Sequence, residues 1–207
     1  MIDTLLAMNP LTISAFMGAA LLLYLTPGAD MMFTLASGMS GGPKAGLAAA
    51  VGIALGVLVH VTMAAAGLAA LILAYPAAYD AIRYLGAAYL AVLAWQSWRT
   101  DTRLEAQRGR ANVWRAFRRG FLTNLMNPKV ALFVLAFLPQ FTDPAAGPVW
   151  HQILWLGLFL GLGGILSDGA YGVFAGVMAA RLRRSSRVMH KVSAIVFGGL
   201  AARLALG

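Results

Sequence analysis

Four ionisable side chains stand where this chain can least accommodate a charge. Asp30 falls one turn past Pro27, Lys129 follows Asn127-Pro128, His60 sits in Val57-Leu58-Val59-His60-Val61, and Asp168 lies within Leu166-Ser167-Asp168-Gly169-Ala170-Tyr171. A charge at the middle of a bilayer costs about 3 kcal/mol or more unless it is paired, protonated or turned toward a polar cavity, so such groups mark ion or substrate paths. A solute with both an ammonium and a carboxylate needs an anion and a cationic or amide-rich surface at complementary positions in a dry site. Asp30 can supply the first. Lys129, with the amides of a helix beginning at Pro128, can supply the second. Asp168 is the first candidate to carry a proton, with Asp30 and His60 as further candidates for coupling. Each also has a structural reading: Asp168 as partner of Lys129 or a backbone amide, Asp30 and Lys129 as a mutually neutralising pair, and His60 as a hydrogen-bonded core histidine.

The elements that must position these groups are membrane helices. Of the 207 residues, 60% are hydrophobic and 11% charged, far below the roughly one-quarter charged of water-soluble domains. About 20 helical residues cross a bilayer core. Six runs reach that length: Leu11 to Ser37, Ala45 to Tyr75, Asp80 to Trp98, Phe117 to Phe141, Gln152 to Ala180 and Met189 to Leu206. The expected architecture is therefore an all-α integral membrane protein, with residues 1–98 and 120–207 as two three-helix repeats and 99–119 as a basic connection. Three spans per half is an odd number, so the halves must be inverted.

Orientation follows from Lys and Arg. Arg99, Arg103, Arg108, Arg110, Arg115, Arg118 and Arg119 fall between spans three and four, while Arg181, Arg183, Arg184, Arg187 and Lys191 fall between five and six. Both connections are expected to be cytoplasmic, with both termini outside an inner membrane. Trp95, Trp98, Trp150 and Trp155 lie near span ends as an interfacial belt requires, and Trp114 to Arg119 is expected along the cytoplasmic surface. The start Met1-Ile2-Asp3-Thr4 lacks a basic n-region, so the first run is expected to stay as a helix.

The first span of each half carries a proline, in Thr26-Pro27-Gly28 and in Asn127-Pro128-Lys129. Proline removes a backbone donor and clashes with the preceding turn, so both helices should be broken there. Matched breaks in corresponding positions are the best sequence pointer to a transporter binding site. The candidate binding set is accordingly Thr26, Pro27, Gly28, Asp30, Asn124, Asn127, Pro128 and Lys129, with Asn124 and Thr123 either lining the site or capping the broken helix. Gly52 and Gly56, Gly157 and Gly161, and Gly172 and Gly176 form small-xxx-small steps that suit internal packing or a homodimer equally.

Several classes are excluded or weakened. With no Cys there are no disulfides and no thiolate chemistry, and neither a metal nor a cofactor is expected. The net charge of +9 sits in two bursts flanking apolar runs rather than on a soluble face, which argues against nucleic acid. An intramembrane enzyme would rest on Ser167 beside Asp168 and a distant His60, without a Gly-x-Ser-x-Gly elbow. A passive channel needs neither buried carboxylates nor matched breaks.

Leu25-Thr26-Pro27-Gly28-Ala29-Asp30-Met31-Met32, Gly42-Pro43-Lys44-Ala45-Gly46, and Gly52 to Gly56 with His60 resemble the first-half signature of LysE-type translocators, the lysine exporter or homoserine/threonine resistance family. Gly86-Ala87-Ala88-Tyr89-Leu90 is similar to the family's third span, and Gly120 to Lys129, running on to Phe137-Leu138-Pro139-Gln140-Phe141, resembles its second-half signature. Ala29 stands where the family usually has a second Pro, which should soften the first break. The resemblance covers essentially the whole chain. It implies secondary export of amino acids or their derivatives, driven by the proton gradient.

Overall fold

The computed structural model describes residues 1–67 and 109–181, together with isolated helical positions at 84, 88, 91, 95, 191, 194–196, 198–199 and 201–202. The short α1 (Ile2–Ala7) precedes α2 (Pro10–Leu25), whose start is set by Pro10 in its first turn and by Asn9, whose side chain accepts from the Leu11 amide at 2.9 Å. α2 stops because Thr26, preceding Pro27, is pushed to an extended conformation (φ −74°, ψ 116°). α3 (Ala29–Gly41) then leaves at 54° to α2. Gly42, at φ 81°, turns the chain directly into α4 (Pro43–Ala65), a backbone position that strongly favours glycine.

α5 (Gly109–Leu125) ends in the second break. Asn127 is extended (φ −89°, ψ 104°) before Pro128, and α6 (Pro128–Leu132) departs from it. That segment continues through a π-helical turn, Phe133–Phe137, and a 3-10 turn, Leu138–Phe141. Pro139 accounts for the irregularity, since it can give no amide to the helix ladder. This half-helix pair is bent by 54°, the same angle as the first. After a second 3-10 turn, Pro144–Ala146, α7 (Val149–Arg181) runs for 33 residues. That is about 50 Å at 1.5 Å per residue, which requires tilt in a core of about 30 Å. Gln152, 1% exposed, ties the preceding loop down: its amide donates to the Asp143 and Gly147 carbonyls, and its oxygen accepts from the Asp143 amide.

Two of the six expected spans are present as single helices long and apolar enough to cross a membrane, and two more where each bent pair counts as one span. Two boundaries differ from expectation. α4 ends at Ala65, where Gly67 at φ 79° bonds back to the Ala64 carbonyl, so the apolar run to Tyr75 is not one helix. At the other boundary, Trp114 to Arg119 forms early turns of α5, continuous with the span rather than a separate surface helix, with Trp114 stacked on Phe117 at 5.1 Å. Most of the third and sixth spans, residues 99–108 of the first basic connection and most of the second lie outside the described residues.

α4 is the hub, packing against α7, α5 and α3, and glycines set the approach. A Cβ on Gly52 would strike the Phe117 carbonyl, one on Gly38 the Gly172 carbonyl, and one on Gly176 the Pro43 nitrogen. At Gly46 it would stand 2.5 Å from the Gly172 carbonyl carbon. These glycine steps are thus occupied by internal packing. Leu11, Leu22, Leu166 and Phe174 remain exposed, as residues bathed in lipid tails would be.

Candidate functional site

The two breaks touch, and each is completed by the other. In a helix the Leu23 carbonyl would accept from residue 27, but Pro27 has no N–H to give. The Lys129 ammonium takes that place: it donates to the Leu23 carbonyl at 3.1 Å and to the Thr26 carbonyl at 2.8 Å. The approach depends on Gly28, where a Cβ would lie 2.9 Å from Lys129 Nζ. Conversely, Asp30 in the first turn of α3 is held from the second half. Asn124, in the last turn of α5, donates its side-chain amide to Asp30 Oδ2 at 2.8 Å.

Asn124 is completely buried, and it fits because Gly56 lies opposite, where a Cβ would come 2.7 Å from Asn124 Oδ1. Its backbone carbonyl meets His60 Nε2 at 3.2 Å, so His60, 3% exposed, stands one layer behind the carboxylate. Asn127 Oδ1 accepts from the Lys129 amide at 3.1 Å, capping the five-residue α6. That amide is therefore not free to bind an anion. Asp30 Oδ1, the Asn127 side-chain nitrogen, Thr123 Oγ1 and His60 Nδ1 are buried without a hydrogen-bond partner among the described residues. Of these, the Asp30 oxygen belongs to a cavity-lining residue and leaves capacity for a polar guest.

The cavity opens between the breaks and α7, with about 450 Å³ of empty space counted out to its mouth. Thr26, Asp30, Lys129 and Asp168 face it, and Leu23, Met31, Ile53, Val57, Val130 and Leu160 form its apolar walls. Asp168, 7% exposed, acts electrostatically on Asp30 and is offset by Lys129. Two acids and one base thus share a largely apolar chamber.

The sequence profile of the LysE type translocator family matches residues 21–207. The chain belongs to this family. An uncharacterised membrane protein of Pseudomonas aeruginosa is 34% identical over 172 residues, covering 79% of each chain. A leucine efflux protein of an Enterobacter species is 31% identical over 193 residues, 90% of this chain and 91% of the relative. An uncharacterised membrane protein of Escherichia coli, YahN, is 28% identical over 209 residues, 97% of this chain and 91% of the relative. No solved structure matches. This LysE-type protein is accordingly a helical membrane translocator and not an enzyme.

The translocator brings together most of the residues singled out from the sequence. Thr26, Asp30, Lys129 and Asp168 line one cavity, Pro27, Gly28 and Pro128 shape the breaks beside it, and Asn124 and Asn127 support it from behind. His60 does not line the cavity. Asn124 neither lines the cavity nor caps the broken helix; it holds Asp30 from behind, and Asn127 makes the cap. Tyr24 was missed. It lines the cavity and donates to the Leu160 carbonyl at 2.5 Å, and the available signal was a polar-tipped residue three positions before the helix break.

Proposed function

We propose that this translocator exports amino acids or close derivatives from the cytoplasm by proton antiport, binding them where the two helix breaks cross. The observation that carries the reading is the reciprocal completion of the breaks, Lys129 on the α2 carbonyls and Asn124 on Asp30. A zwitterion offers what both ends lack: a carboxylate that competes for the Lys129 ammonium, and an ammonium that can engage Asp168 and the unpartnered oxygen of Asp30. Because the breaks are joined through these groups, occupancy changes the contact between them, as alternating access requires. The apolar walls favour an aliphatic side chain, in keeping with the leucine efflux relative. In this reading Asp168 carries the proton, and the two halves form inverted repeats linked by residues 99–119.

Profiling the medium of cells that overproduce the protein tests this directly. One or more aliphatic amino acids should accumulate relative to empty-vector cells, and the excess should vanish in the Lys129→Met strain. An unchanged amino-acid profile would overturn the reading.

The protein is placed in the inner membrane with both termini outside, and the absence of cysteine makes this simple to examine. A single cysteine replacing Ser185 should react only with permeant thiol reagents in intact cells, whereas one replacing Ala145 should react with impermeant reagents as well. The reverse pattern would invert the topology. A homodimer, where it forms, would use lipid-facing residues such as Leu166 and Phe174, because the described glycine steps are already packed.

A further inference from the structure

We infer that Tyr24 is a positioning residue that transmits the charge state of Asp168 to the first broken helix. This rests on the reading of Asp168 as the proton carrier. Tyr24 sits on the last turns of α2, three residues before Pro27, and its hydroxyl crosses to α7 to donate to the Leu160 carbonyl. It lies against a glycine surface: a Cβ on Gly163 would stand 2.7 Å from the hydroxyl, and one on Gly164 would stand 3.9 Å from the ring. Tyr24, Gly164 and Asp168 line the same cavity.

The bond to Leu160 is replaceable. Within α7 that carbonyl is in register to accept from the Gly164 amide, so the phenol is a second donor to it. An ionised Asp168 is the better acceptor, since hydrogen bonds to a charged group are roughly twice as strong as neutral ones. The Asp168 side chain has no hydrogen-bond donor among the described residues. Loss of the proton therefore draws the hydroxyl from Leu160 to Asp168, and protonation returns it. Because Tyr24 is anchored on α2, the exchange changes how that half-helix is held against α7.

The other groups facing Asp168 are Asp30 on α3 and Lys129 on α6. α4 offers the cavity only Ile53, Ala54 and Val57, with His60 behind them. Asp30 and Lys129 are already engaged by Asn124 and by the α2 carbonyls. The Thr26 hydroxyl also lines the cavity but bonds within its own helix, to the Leu22 carbonyl, so Tyr24 is the donor whose bond crosses to α7.

The test uses the full chain in proteoliposomes with radiolabelled leucine, measured as exchange at equal pH and as accumulation driven by a pH gradient. Tyr24→Phe keeps the ring. Its gradient-driven component should fall about tenfold or more beyond any change in exchange, the scale of one hydrogen bond to a charged group. Gly163→Ala retains the hydroxyl but intrudes on its position, and should shift both measurements in the same direction. A Tyr24→Phe protein with the wild-type gradient response would overturn the inference. Equal loss of exchange and accumulation would also overturn it, showing a merely structural residue. Failure of the underlying reading is visible separately, as wild-type exchange that no pH gradient affects.

Discussion

Replacing Lys129 with Met lowers export at least about 100-fold and destabilises the fold, because the ammonium serves two purposes at one position. It supplies the donor that Pro27 withholds from the Leu23 carbonyl, and it offsets Asp30 and Asp168. An orphaned part-buried carbonyl costs about 1–3 kcal/mol, and the Thr26 carbonyl, which is more exposed, adds less because water can replace its donor. Removing the cation also leaves two carboxyl groups facing each other. Asp30→Asn retains the shape of the side chain and should melt nearer to wild type. The double variant Asp30→Asn/Lys129→Met should recover part of the lost stability and none of the export. Thermal melting in detergent and whole-cell efflux check both halves. A Lys129→Met protein that melts and exports like wild type would show that the breaks do not depend on each other.

Asp168→Asn has a different signature. The amide fills the same volume and removes the ability to ionise, so the protein should insert and fold normally and continue to exchange substrate across the membrane. Export against a concentration gradient should fall to the level of passive equilibration and lose its pH dependence. Export by the Asn variant with the wild-type rate and pH profile would make the residue structural. The contrast with Lys129→Met is informative because both residues line one cavity, yet only the lysine also repairs a helix.

The helix breaks were legible because proline acts locally: it fixes its own φ, lacks a donor and pushes its predecessor to an extended conformation, as Thr26 and Asn127 both are. The four ionisable residues were equally plain against apolar surroundings. What local pattern could not reveal was the crossing. Lys129 and Leu23 lie 106 positions apart, and nothing in either segment specifies that the ammonium of one break mends the other. Asn124 was legible as a polar residue near a break, but its hold on Asp30, neither the lining nor the capping role expected of it, depended on room beside Gly56. Tyr24 escaped because an aromatic in an apolar helix is ordinary until a glycine surface lies opposite. The end of α4 at Ala65 was hidden for the opposite reason: hydropathy continues beyond Gly67, whose positive φ turns the chain.

The most direct test of the crossed-break site uses Thr26, which lines the cavity and gives its carbonyl to Lys129. In a chain with no native cysteine, Thr26→Cys creates the only thiol. Its rate of modification is measured in membranes with and without saturating exported solute, leucine in the first instance. The control is a cysteine replacing Ala145, on the exposed 3-10 turn Pro144–Ala146. The account predicts that the solute slows labelling at position 26 several-fold and leaves position 145 unchanged. Equal labelling of position 26 with and without a solute that the same protein demonstrably exports would contradict it.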